Sequence, residues 1–186
     1  MDYGERCENA FAYEFDQVDF NAVDFCSNDF TRWGWTNGPY PDGTSAPLNI
    51  YAGAGTCDPS SGGTFVGRAT VTVDGDTVAV KVTPDFYHTF TELHIQVSCD
   101  PLKYALQGDT ETVTPGQYTY GSDDPTTDSV TFFVAPASGQ LSIDGLTEEG
   151  SCTSNRFWVI IHAVSCLRPG VEVDLVNDGS LDGVFR

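Results

Sequence analysis

The sequence predicts an all-β fold, an antiparallel β-sandwich of Ig-like or jelly-roll-like type stapled by disulfides, and three observations carry that expectation. Phe157 to Cys166, FWVIIHAVSC, is the most apolar run of the chain and is rich in the β-branched and aromatic residues that suit a pleated surface, so it reads as a central strand. Thr, Val, Gly and Asp abound while helix formers are thin, Lys81 and Lys103 being the only lysines, and no stretch sustains a 3.6-residue apolar period. Cysteines stand at positions 7, 26, 57, 99, 152 and 166, an even set without a C-x-x-C pair, which points to disulfides rather than zinc or redox chemistry.

At 186 residues the chain is expected to be a single sandwich domain, residues 1–166, followed by a strand-like tail, 167–186. Eight Lys plus Arg against 27 Asp plus Glu give 8 − 27 = −19, which argues against nucleic acid and anionic membranes as partners. Disulfides imply an extracellular or cell-surface location. Met1 to Glu8 carries no apolar leader core, so either a leader has been removed upstream or Met1 is an artificial start, and no segment is apolar enough to insert in a membrane.

In chain order, residues 8–15, ENAFAYEF, alternate as a first strand. Asp16 to Asp29 holds spaced acids between single Phe and Val residues and reads as a solvated connection or ragged edge strand; its spacing fits no compact calcium loop. RWGWTNG, Arg32 to Gly38, puts Trp33 and Trp35 on one face of a strand that closes in an Asn37-Gly38 turn. Leu48 to Ala54 is a strand, with Gly53 and Gly55 marking a bulge or a close approach. Thr64 to Val73, the Asp74-Gly75-Asp76 turn and Thr77 to Val82 form a hairpin with facing valines. Thr91 to Ser98 alternates, Leu93, Ile95 and Val97 inward and Glu92, His94 and Gln96 on the opposite face. A connection follows over 101–116, and Gln117 to Tyr120, Val130 to Val134 and Gln140 to Ile143 are short strands among turn residues.

Sequence alone does not fix the pairing of six cysteines, but strand ends suggest one. If the first and last strands are antiparallel neighbours, Cys7 lies beside Cys166. Cys99 ends a strand whose partner would begin after Cys152, and Cys26 and Cys57 are left for each other.

ENAFAY, RWGWTNG, IYAGAGTC, ELHIQV, TPGQYTY and WVIIHAVSC occur in the order of a family of secreted, mostly bacterial, uncharacterised β-rich proteins, which this chain resembles over Glu8 to Cys166. That family carries ETAFAYG, RWGWTNG, YAGAGQC, ETHLYVG, PGQYPY and VVAHAVVC-like blocks. The resemblance implies a secreted β-rich module without an established activity. Glu14 stands where the family has Gly, and Cys99 and Cys152 look like an added pair.

No nucleophile elbow, phosphate loop or spare cysteine is present, so the chain is expected to be no enzyme and to use no cofactor. His88, His94 and His162 raise the metal question; Glu92 is the nearest further ligand for His94 and His162, and a polar cross-strand contact is the plainer expectation, with no metal. The functional expectation is a non-catalytic structural protein whose partner is itself, assembling head to tail into a fibre or matrix. Its anchors would be Val171, Val173, Leu175 and Phe185, which give the tail one apolar face. The alternative is a carbohydrate-binding module presenting Trp33, Trp35, Tyr40 and Tyr51 to glycans, although burial of the indoles is the commoner use of Trp. No N-x-[ST] sequon occurs; Thr126, Thr127 and Ser129 beside Pro125 form a candidate cluster for O-linked sugars.

Overall fold

The computed structural model describes residues 6–14, 21–28, 30–75, 77–99, 113–115, 118, 120–122, 130–134 and 156–168. These form ten strands: β1 (Cys7–Tyr13), β2 (Asn21–Asp24), β3 (Trp35–Pro41), β4 (Ser45–Ala52), β5 (Thr64–Asp74), β6 (Thr77–Pro84), β7 (His88–Ser98), β8 (Tyr120–Ser122), β9 (Val130–Val134) and β10 (Arg156–Leu167). A 3-10 turn, Cys26–Asn28, follows β2. The fold is all-β and sandwich-like, but its strands form one continuous antiparallel sheet rather than two separately bonded ones, with the path β2-β3-β10-β1-β4-β5-β6-β9 and with β7 and β8 branching from β10.

The apolar 157–166 run occupies the centre, as its composition requires: β10 is paired along both edges. On one edge it meets β7 from Trp158↔Ser98 to Leu167↔His88. On the other it meets β3 at its start, Arg156↔Pro41, and β1 at its end, Cys7↔Cys166. A strand with two neighbours on one edge leaves a fork where ladder hydrogen bonds run out, and Asn37 fills it. Its Nδ2 donates to Ala12 O at 3.0 Å and Val159 O at 3.4 Å, while its Oδ1 accepts from Glu14 N at 2.9 Å. Asn37-Gly38 is therefore no turn. The amide is spent on β1 and β10, Gly38 has φ +133°, and a methyl group on Gly38 would lie 2.6 Å from Phe157 O. The chain turns instead at Asp42-Gly43.

Period-2 alternation drives the main core. Val71 and Val73 lie opposite Val80 and Val78, and these pack with Leu48, Ile50, Leu93, Ile95, Val97, Phe157, Val159 and Ile161. The β5–β6 hairpin turns through Asp74-Gly75 as its sequence indicates. Gln96 lies on the face opposite Ile95 and Val97, as its place in the alternation indicates; it is buried there, and its Nε2 donates to Val97 O at 3.2 Å. Within the acidic 16–29 stretch, β2 is an edge strand on β3. Disulfides join Cys7 to Cys166 and Cys26 to Cys57; Cys99 is disulfide-bonded as well, and Cys152 lies outside the described residues. The expected 101–116 connection, apart from residues 113–115, and the Gln140 to Ile143 strand also lie outside them.

Candidate functional site

The sheet buries residues on both faces. On the face away from the main core, Phe11 and Ile160 are roofed by Phe25, Trp35, Ala54, Val113 and Tyr118, with Tyr13, Phe30, Trp33 and Cys57 packed at the margin. Apart from Trp35 at the start of β3, the roof is built from segments between strands, and Cys26–Cys57 ties two of them together. Gly34 lets the double-tryptophan segment lie down here: its φ is +144°, and a methyl group would meet the Phe25 ring at 2.7 Å and Phe11 at 2.9 Å.

This arrangement decides the fate of the four proposed glycan-facing rings. Trp35 is 1 % exposed and Tyr40 is fully buried, so neither offers a face to a sugar. Trp35 stacks edgewise on Trp33 at 5.8 Å and tilts against Tyr13 at 4.9 Å. Trp33 and Tyr51 keep partial exposure on either side of Phe11, which lies 5.1 Å from Trp33 and directly opposite Tyr51. The Tyr51 hydroxyl accepts from Asn49 Nδ2 at 3.4 Å, and its ring meets Phe65, over which Arg68 sits at 5.8 Å.

Two histidines meet at the edge of the same face. His94 and His162 are directly paired across β7 and β10, with their Nδ1 atoms 3.3 Å apart, and His162 Nε2 lies 2.9 Å from Asn9 Oδ1 of β1. Because Asn9 Oδ1 accepts, His162 carries its hydrogen on Nε2, its Nδ1 becomes the acceptor, and His94 Nδ1 donates. One polar chain thus threads β1, β10 and β7. His162 is 2 % exposed and packs against Phe11 at 4.8 Å. Burial first, then the neighbouring positive charges of His94 and Arg32, lower its pKa to about 3.

The ring centroids of the pair are 5.5 Å apart, so the two Nδ1 atoms point at each other in a hydrogen bond. A shared metal would need both lone pairs aimed at a third point. Among the described residues the ligand atoms that do converge belong to Asp24, Cys26 and Cys57, but the two sulfurs are spent on each other and offer no thiolate. His88 is held in a turn, its Nδ1 2.7 Å from Asp85 Oδ1.

A second buried polar site lies at the end of β1. Tyr40 donates its hydroxyl to Glu14 Oε2 at 2.6 Å, and Glu14 Oε1 has no hydrogen-bond partner among the described residues. Burial raises the Glu14 carboxyl above its ordinary range against the opposing effect of the Tyr40 bond, and burial together with Glu14 raises the Tyr40 phenol.

The most exposed feature is one the sequence reading missed. Phe86 is 75 % exposed and Tyr87 40 %, on the turn between β6 and β7. The turn is pinned from every side. Asp85 N donates to Val66 O at 2.9 Å, Asp85 Oδ1 accepts from Tyr87 N at 3.0 Å and His88 N at 2.9 Å, and Arg168 donates its N to Tyr87 O and its Nε to His88 O, both at 2.9 Å. Two adjacent rings between Pro84-Asp85 and His88 were the available signal. With Phe65, at 37 %, these are the exposed large hydrophobics of the described residues, and all three lie at the end of the fold that holds Cys7–Cys166.

The tail anchors Val171, Val173, Leu175 and Phe185, and the candidate sugar acceptors Thr126, Thr127 and Ser129, lie outside the described residues. No helix among those residues is long and apolar enough to cross a membrane, and the disulfides suit an oxidising, extracellular-type environment. No protein-family model, curated protein or solved structure matches the chain.

Proposed function

We propose that this protein is a secreted, non-catalytic structural module that associates with copies of itself into an extracellular fibre or matrix. The observation that supports this reading best is the Phe86–Tyr87 turn. Exposed rings cost solvation unless something covers them, and a turn held by this many backbone hydrogen bonds presents them without further ordering on contact, as an interface anchor does. Sedimentation velocity over a wide concentration range tests the reading. The parent chain is expected to form species larger than a monomer, and Phe86→Ser to shift the distribution towards monomer with an unchanged melting temperature. A parent that stays monomeric at every concentration refutes it.

Glycan binding remains a second reading on a reduced site. Its support is the half-exposed pair Trp33 and Tyr51, with Asn49 and Arg68 supplying donors beside them. Affinity electrophoresis through gels containing neutral polysaccharides separates the two: retardation abolished by Tyr51→Ala favours the glycan site.

A further inference from the structure

We infer that the Phe86–Tyr87 rings seat a segment of their own chain, Val171 to Leu175, which caps them in the single molecule and so sets how readily copies associate. This rests on the self-association reading above and goes beyond it by naming what competes for the same surface.

The last rungs between β10 and β7 run Ser165↔Phe90, Cys166↔Thr89 and Leu167↔His88. Carried on by one step, that register sets Arg168 opposite Tyr87, and there Arg168 N donates to Tyr87 O at 2.9 Å. Arg168 Nε donates to His88 O at 2.9 Å, so the backbone and the side chain of one residue both hold the turn. The described residues end at Arg168. Peptide connectivity puts Pro169 one residue from that fixed point, beside the ring-bearing turn.

The sequence that follows suits a return onto the rings. Pro169 has no N–H to donate, which ends the ladder, and Gly170 permits a change of direction that other residues resist. Val171, Val173 and Leu175 then alternate with Glu172 and Asp174, giving an extended segment one apolar face. At no more than about 3.6 Å per residue, Val171 stays within roughly 11 Å of Arg168 and Leu175 within roughly 25 Å. Phe86 and Tyr87 stand edge to face with ring centroids 5.4 Å apart, and at 75 % and 40 % exposure they offer one apolar patch within that reach.

Tethering, rather than charge, selects this occupant. A segment joined to the turn through a few residues meets the rings at an effective concentration on the order of millimolar, and the short loop it closes costs little. A second copy must come from solution and give up its translational freedom. Cap and copy therefore compete for the same two rings. A cap closed about nine-tenths of the time raises the apparent dissociation constant for self-association about tenfold.

The test uses the full chain with Val171→Ser, Val173→Ser and Leu175→Ser combined, compared with the parent at a concentration where sedimentation shows both monomeric. Hydroxyl-radical footprinting read by mass spectrometry reports on the rings. Oxidation of Phe86 and Tyr87 is expected to rise several-fold in the variant, and its association midpoint to fall about tenfold in concentration. Trp35, 1 % exposed, is the internal control and stays unoxidised while the fold is intact. Should the triple variant lose that protection, Leu175→Ser alone is read in the same way. Equal oxidation of the two rings in monomeric parent and variant overturns the cap, and if protection then appears only as the parent associates, a second copy covers them instead. Rings uncovered in a variant that never associates would leave the cap standing and take down the self-association reading.

Discussion

Lowering the pH should destabilise the fold through His162 in particular, and the size of the effect follows from where that ring sits. Folded, it ionises at about 3; unfolded, at its ordinary 6.5. The folded-state value is the lower one, so the unfolded chain takes up the proton first. The contribution of the neutral, buried ring is complete above pH 6.5 and is lost as pH falls from there towards 3. At about 1.36 kcal/mol per unit, pH 5 lies about 1.5 units into that window and costs about 2 kcal/mol; the loss approaches ~5 kcal/mol near pH 3. A second proton on the pair would set two N–H groups against each other across the 3.3 Å contact and detach His162 from its only acceptor role. Urea unfolding followed by tryptophan fluorescence at pH 7.5, 6 and 5, for the parent and His162→Gln, isolates the effect, since every other acid is common to both. The parent should lose about 2 kcal/mol more than the variant between pH 7.5 and pH 5. Equal losses would refute the assignment of a neutral, proton-excluding His162.

Glu14→Gln should act with the opposite sign. The raised carboxyl favours folding below its ordinary 4.5 and loses that advantage as pH rises through its folded value, so the variant should gain on the parent with rising pH in urea titrations. Asn37→Ala removes the side chain that satisfies Ala12 O, Val159 O and Glu14 N and should cost about 3 kcal/mol, and Asn37→Asp should fail to rescue it because a carboxylate cannot donate to either carbonyl. Trp35→Ala should cost about 3 to 5 kcal/mol in the same assay, and Trp33→Ala distinctly less, since only Trp35 is fully enclosed. Replacing Cys7 and Cys166 together by Ser opens a loop of sequence separation 159 and should lower stability by about 5 kcal/mol, with little change in far-ultraviolet circular dichroism below the transition.

What could be read from the chain and what could not divide along a physical line. Strands whose two faces differ announce themselves, so β5, β6 and β7 were legible from alternation, and β10 from an apolar run too continuous for anything but a doubly paired position. Strand ends then placed Cys7 beside Cys166, and elimination left Cys26 for Cys57. Asn37-Gly38 misled because the turn preference of Asn-Gly is local, while the fork between β1, β3 and β10 is made by residues more than a hundred positions apart in sequence. The same holds for the candidate sites. That Trp35 is enclosed depends on segments folding over the second face, that Tyr40 is enclosed depends on the main core of the opposite face, and that Phe86 and Tyr87 are bare depends on how the turn between β6 and β7 is held. None of these facts is written in the residues themselves.

The Cys7–Cys166 bond also sets how the module answers a pull. Arg6 and Arg168 flank the Cys7–Cys166 rung, Leu167 N bonding Arg6 O, so tension applied at one and taken up at the other would peel β1 from β10 one rung at a time, the weakest way to load a sheet. The disulfide stands at the first rung. Load passes from one strand end to the other through a single covalent bond, and the long stretch of chain enclosed between the two sulfurs bears none of it. Under reducing conditions the same pull would reach the ladder and unzip it, so in a single-molecule extension experiment the oxidised domain behaves as an inextensible link and the reduced one as a spring that gives way.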